Sequence, residues 1–209
     1  ELPEYDHVEV PLFSGNNFGE ELQCSKWICL NTKSLLGIPL AFFKFRRLVK
    51  KEKPELVHTH LFWPTFVARI SMPKKIPLIT TIHAFIATSG EYKYWYINFL
   101  DKLSYKYRKS IIIVVAKGAL EEYFSFLHLK PYKAYALYTF VDVERFNVDR
   151  VPAKKKADTF KLLAVGALRL QKNYPYLINA MALIRDKDIE LDIYGVGGLR
   201  DELQAQIQT

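Results

Sequence analysis

The chain has 209 residues, half of them apolar and a quarter charged, with a formal charge of +8. That length allows one large domain or two small ones, and the composition is that of a core-forming globular chain rather than a disordered or fibrous one. Lys or Arg interrupts every apolar run well short of the roughly 20 residues that span a bilayer. Most of the positive excess lies in residues 1–150, which leaves open plain solubility or an anionic partner: nucleic acid, a lipid surface or a phosphorylated metabolite.

The opening ELPEYDHVEV has neither the basic nor the apolar region of an export signal. The closing LRDELQAQIQT reads as a helix without a stop signal, so both ends are expected to be cut. Cys24 and Cys29 in CSKWIC are spaced wider than a zinc knuckle and lack a second pair or a nearby His. They read as two ordinary thiols in a reducing, cytosolic setting.

In chain order, HVEVPLF (7–13), ELVHTH (55–60), IPLITTIH (76–83), SIIIVVA (110–116) and KAYALY (133–138) predict strands apolar enough to be buried on both faces. Residues 34–51, 63–72, 92–108 and 117–127 predict the helices between them. The alternation implies a parallel sheet with right-handed crossovers. The stretch 147–158, polar and holding Pro152 and three consecutive lysines, reads as a linker. A second alternation follows: TFKLLAVG strand, NYPYLINAMALI helix, IELDIYG strand, GLRDELQAQI helix. The expected organisation is α/β, with a first domain over 1–146, the linker, and the start of a second domain over 159–209, both domains truncated.

In open parallel sheets ligands bind beyond the carboxyl ends of the strands. After TFKLLAVG the elbow carries Gly166, Arg169 and Lys172 with no acidic residue nearby. Glycine permits close backbone approach, a following helix offers N–H groups and its positive end, Arg supplies a fork and Lys a point charge. That set suits a phosphate or diphosphate, against the plainer reading of a solvated loop with two cations. GVGG (195–198) follows the next strand; it lacks the full dinucleotide fingerprint and the P-loop Lys-Ser/Thr, and a tight strand-to-helix turn accounts for it more readily than ligand contact does.

His58 and His60 share one face of their strand by alternation, and His83 ends the next. Without accompanying Asp, Glu or Cys the three are too few for a closed metal site, and no metal is expected. His83 alone, at a strand's carboxyl end, suits a hydrogen bond to substrate or a proton shift, or a structural role. Two runs, AFFKFRRLVKK (41–51) and EYKYWYINFLDKLSYKYRK (91–109), mix aromatics with cations. They read as amphipathic helices with an inward aromatic stripe, or as a surface that leans on an anionic membrane; no RNA-binding signature accompanies them.

PELVHTHLFWPTFVARI and IPLITTIHAF resemble the "PD-hydrophobic-HxH" and "TxH" strands of the retaining glycosyltransferases of family four, which have the GT-B fold. VVAKGALEEYF and LYTFVDVERF resemble that family's "VS...E" helix start and "NGVD...F" passage. LLAVGALRLQKNYPYLINAM and IELDIYGVGG resemble its "VGR...KG...LI.A" and "L.I.G.G" segments. The resemblance runs from about residue 45 to the end.

It implies two Rossmann-like domains facing across a cleft, the first binding a saccharide or lipid-linked saccharide acceptor and the second a nucleotide-sugar donor. By the same resemblance Lys172 holds the donor diphosphate, His83 is the active-site His, His60 lies on the acceptor side, and Gly195 and Gly197 lie by the donor. Cations and a helix end neutralise the leaving charge, so neither metal nor other cofactor is required. The implied location is cytoplasmic, at the inner face of the cell membrane if the acceptor is lipid-linked; no nucleic acid partner is implied. Ala167 stands where the family has Arg, Thr139 and Phe140 replace Asn-Gly, and Ala116 replaces Ser. Another GT-B activity such as a sugar-nucleotide epimerase, or a non-catalytic protein binding a phosphorylated ligand, are the alternatives.

Overall fold

The computed structural model describes residues 5–14, 26–86, 90–147, 159–184 and 188–208. They fall into two compact units, Glu1–Phe140 and Val141–Thr209. All but Asn147 of the expected linker lies outside the described residues.

In the first unit β1 (Val8–Glu9) pairs in parallel with β2 (Lys26–Trp27), and the ladder continues through Leu30 N–H to Pro11 O and Thr32 N–H to Leu12 O. β2 falls in the CSKWIC run, which carries no strand expectation. Cys29 is a free, half-buried thiol beside Phe13 O.

Helix α1 (Ile38–Glu52) buries Ile38, Ala41, Phe45 and Val49, one stripe of a 3.6-residue period. Pro39 sits in its first turn, where a missing N–H costs nothing. Lys53, at φ 50°, ends it with an N–H bond to Val49 O, and Pro54 prevents continuation. Then follow β3 (Val57–His60), α2 (Phe62–Ser71), β4 (Leu78–Ile82), α3 (Trp95–Tyr107), β5 (Ile111–Val114), α4 (Lys117–Leu127) and β6 (Lys133–Ala136).

The four strands form one parallel sheet in the order β3-β4-β5-β6. Right-handed crossovers between successive neighbours place α2, α3 and α4 on one face. On that face sit Thr59, Thr80, Ile112 and Val114, all buried. The register His60↔Thr81↔Ile113↔Tyr135 defines the other face, to which His58 also belongs. Two apolar clusters form the core, one around α1 and α2 with Leu12, Leu30 and Leu78, the other around α4 and β5 with Tyr105.

Between them runs a polar band. Arg69 of α2, fully buried, pairs with Asp101 of α3 and donates to Ser104 and Ser110. Asp101 also accepts the hydroxyls of Tyr92 at 2.5 Å and Tyr123 at 2.9 Å. Most of the remaining lone pairs and protons of this buried ion pair are satisfied in this way, Arg69 Nε being without a partner among the described residues.

In the second unit β7 (Phe160–Val165) and β8 (Ile189–Tyr194) pair in parallel over six residues. α5 (Tyr174–Ala182) and α6 (Arg200–Ile207) follow them. Leu168, Tyr174 and Leu203 are buried together, with Ala164, Leu177 and Ile193 against them. The expectation of strands buried on both faces fails for β1, β3 and β6, where Val8, Glu9, His58, His60, Lys133 and Tyr135 are exposed; the burial of β7 and β8 alternates too, because among the described residues apolar packing covers one face and leaves Leu163, Val165 and Tyr194 exposed on the other. No helix among the described residues is long and apolar enough to cross a membrane.

Candidate functional site

Two elbows collect the residues singled out in the sequence, one in each unit. In the first, parallel pairing brings the ends of β3 and β4 side by side. His60 Nδ1 and His83 Nε2 lie 2.7 Å apart, with the rings stacked at a centroid separation of 5.0 Å. His58 and His60 share a face as alternation requires, their centroids 4.4 Å apart, and His58 Nε2 lies 2.7 Å from Thr81 Oγ1. Burial pushes His60 down to about 4, with the neighbouring His58 and His83 acting in the same direction. His58 is lowered by burial and by His83, against a smaller opposing pull from Glu9. Crowded imidazoles disfavour one another's charge. Among the described residues no group of three His, Cys, Asp or Glu is disposed to hold a metal.

Directly after His60 the chain turns through Leu61 at φ 66°, ψ 167°, a region that fits glycine and strains any other residue. Thr65 Oγ1 donates to Leu61 O at 2.7 Å and lies 3.0 Å from Thr59 Oγ1, which tethers the turn to the sheet. The N–H of Phe62, first residue of α2, donates to Glu91 at 3.3 Å. A carboxylate there complements the helix dipole. Burial raises the Glu91 pKa, partly offset by the Phe62 N–H.

Beyond His83, Ile86 N–H donates to Glu122 of α4 at 2.5 Å, which ties the loop to the second core cluster. These contacts enclose a pocket of about 70 Å³ with His83, Glu91 and Tyr92 in its wall and the buried Asp101 and Tyr123 deeper in. That volume holds a few waters, so a larger ligand would rest at its mouth.

Leu61, Glu91, Tyr92, Asp101 and Glu122 were not anticipated as contributors. Glu122 falls in the quoted ALEEYF run, where its spacing was the available signal. Glu91 and Asp101 depend on Phe62 and Arg69, far away in sequence, while Leu61 and Tyr92 act through the nearer Thr65 and Asp101.

In the second unit the elbow after β7 is built by close approach. A Cβ on Gly195 would stand 1.9 Å from Gly166 O, and one on Gly197 2.4 Å from Leu168 O. Gly166 N–H donates to Tyr194 O and Leu168 N–H to Val196 O, so both elbows of this sheet are zipped together. Tight packing therefore requires both glycines, whatever else they do.

Leu170–Lys172 form a single 3-10 turn with Arg169 extended before it, and both Arg169 and Lys172 are exposed. The Lys172 side chain folds back over Gly166: its Cε would lie 3.5 Å from a Cβ built there. The helix start contributes less than expected. Pro175 has no N–H, while Tyr176 and Leu177 N–H both return to Asn173 O. Positive charge at this elbow therefore rests mainly on the two side chains. His58, His60 and His83 are thus brought together in the first unit, and Gly166, Lys172, Gly195 and Gly197 in the second.

The family model described as Glycosyltransferase Family 4 matches residues 8–145. The N-acetylgalactosamine-N,N'-diacetylbacillosaminyl-diphospho-undecaprenol 4-alpha-N-acetylgalactosaminyltransferase of Campylobacter jejuni is 27% identical over 192 residues, covering 90% of this chain and 52% of that protein. Among solved structures, a glycosyltransferase from Rickettsia africae superposes with a TM-score of 0.65 at 14% identity, over 97% of this chain and 57% of that one. The UDP-N-acetylglucosamine 2-epimerase from Rickettsia bellii gives 0.54 at 13%, over 97% and 57%. The S. aureus MnaA structure with UDP gives 0.50 at 15%, over 90% and 52%. At these identities the structures speak for fold alone. The chain spans about half the length of the relatives it matches.

Proposed function

The chain belongs to glycosyltransferase family 4, with an α/β fold of GT-B type, and from that premise we propose that it transfers a sugar from a nucleoside-diphosphate donor to a saccharide acceptor with retention of configuration. The observation that carries the donor assignment is Lys172 folded over Gly166 at the carboxyl end of β7. An ammonium there meets a diphosphate at the strand's end, and Arg169 adds a second cation. As the sugar–oxygen bond breaks, charge develops on the diphosphate, and fixed cations stabilise it without a metal or other cofactor. Gly195 and Gly197 keep the neighbouring elbow low. His83 hydrogen-bonds the reacting sugar or the acceptor hydroxyl, with His60 on the acceptor side.

The C. jejuni relative acts, by its name, on a diphospho-undecaprenol saccharide, and we carry the lipid-linked acceptor over as part of the proposal. Two helices packed against α2 support a contact with an anionic membrane face on the cytoplasmic side. On α1 and the turn before it, Leu36, Leu40, Phe43, Arg47 and Lys50 form an exposed stripe opposite the buried one, with Leu36 93% exposed. On α3, Trp95 at 77% exposed lines up with Phe99 and Lys106. Aromatic and basic groups in one stripe suit the headgroup region. The inward aromatic reading holds for Phe45 and Tyr105, while these others face out. The epimerase alternative has less support, since the matching family model and the C. jejuni relative are both glycosyltransferases by name.

The test is donor binding and turnover across a panel of nucleoside-diphosphate sugars with the lipid-linked acceptor, with the product's anomeric configuration read by NMR. Lys172→Ala should lower kcat/KM by about 10- to 100-fold, the loss expected from one charge-assisted contact. Unchanged function in that variant would sink the assignment. Co-sedimentation indifferent to vesicle charge would remove the membrane part.

A further inference from the structure

His83 is held by a neutral side chain. We propose that His60 is a positioning residue acting through His83: its Nδ1 engages His83 Nε2, fixes the plane of that ring, couples its tautomer to that of His60, and leaves His83 Nδ1 as the nitrogen open to substrate. The inference rests on the reading of His83 given above, and its physical core is independent of that reading.

The contact is a 2.7 Å approach of two ring nitrogens. Such a bond holds one proton: one nitrogen carries it and the other offers its lone pair, so the state of one ring dictates the state of the other. Both rings are exposed, and the surrounding structure holds the backbone on either side of the contact. His60 is the last residue of β3, in register with Thr81, two positions before His83. Its ring packs on His58, which Thr81 Oγ1 holds at 2.7 Å. The strained turn at Leu61, tied down by Thr65, fixes the backbone immediately after it. On the other side, Ile86 N–H bonded to Glu122 anchors the segment that carries His83.

His60 is also suited by charge. Burial and its two histidine neighbours keep it neutral far below pH 7, so it has both a donor and an acceptor nitrogen under working conditions. A carboxylate in this place would orient His83 while favouring the imidazolium. His60 supplies orientation through a neutral ring, which suits a group that hydrogen-bonds a sugar hydroxyl.

The experiment is long-range 1H–15N NMR of the imidazoles in the full chain, with three variants that separate shape from hydrogen bonding. His60→Asn places an amide where Nδ1 stood, His60→Gln places it where Nε2 stood, and His60→Phe keeps a ring without nitrogen. In the parent and in His60→Asn, the His83 Nε2 resonance should carry the shift of a hydrogen-bonded nitrogen. In His60→Gln and His60→Phe that shift should be lost. The signals of His7 and His128, remote in sequence from the pair, report whether each variant is folded; if His60→Phe is not, the Asn and Gln pair decides.

With a turnover assay in hand, His60→Gln and His60→Phe should lose about 10- to 100-fold in kcat with KM little changed, the cost of a misplaced group, and His60→Asn should recover most of it. A His83 Nε2 shift indifferent to all three variants overturns the inference, as does a kcat that falls equally in His60→Asn and His60→Gln. A shift lost in His60→Gln and His60→Phe in a chain that transfers no sugar leaves the contact standing and removes the proposed function instead.

Discussion

At the elbow after β7 the backbone is crowded against its neighbour, with room at Gly195 for no atom within 1.9 Å of Gly166 O, and the chemically useful side chains stand outside that crowding. At the elbow after β4 the backbone is tied by side chains: Thr65, Glu91 and Glu122 hold the turns, His60 holds His83, and Arg69 with Asp101 lies beneath. One site is shaped by what glycine omits, the other by what polar side chains supply. Steric substitutions should therefore injure the first, and loss of a hydrogen-bonding group the second.

The largest effect should come from Asp101→Ala. It leaves the fully buried Arg69 guanidinium unpaired and the Tyr92 and Tyr123 hydroxyls without their acceptor, a loss of about 3–5 kcal/mol of stability. Denaturant unfolding measures it, and a loss below about 1 kcal/mol would show that the polar band does not hold this unit together.

Next, Gly195→Ala should cost about 2–3 kcal/mol, because the methyl group meets backbone rather than a flexible side chain. Gly198→Ala, with nothing within 4 Å, should stay within about 0.5 kcal/mol of the parent. Equal unfolding midpoints for these two would erase the contrast between the elbows.

The smallest effect is acid sensitivity. His60 is depressed from 6.5 to about 4, so between those values the unfolded chain binds more protons than the folded one. Stability then rises with pH across that window, is complete above it, and is lost as pH falls through it. His60→Asn should flatten the slope in part, His58 supplying the remainder. Residues 141–209 contain no histidine, so amide exchange in the second unit should not follow the same limb. A slope unchanged in His60→Asn would remove His60 from the account.

Much of this was readable beforehand. Helix 117–127 has the bounds that its apolar spacing gave, and alternation correctly placed His58 with His60 because period 2 leaves no choice. The order of the motifs gave the family. Contacts that register and crossover create were hidden: His60 meets His83, and Arg69 meets Asp101 at a separation of 32 residues. Strand β2 was missed because its pattern is short and mixed, the strand being defined by its partner. The glycines at 195 and 197 were visible, but whether they served a ligand or close packing depended on the distance to Gly166 and Leu168.

Leu61 also bears on how this protein would behave under laboratory selection. A branched side chain occupies a backbone geometry that costs about 1–3 kcal/mol and that glycine adopts freely. A library at position 61 screened for heat resistance alone should drift to glycine. The same library screened for sugar transfer should retain a residue that stiffens the turn beside His60, so the two enrichments would diverge at one codon.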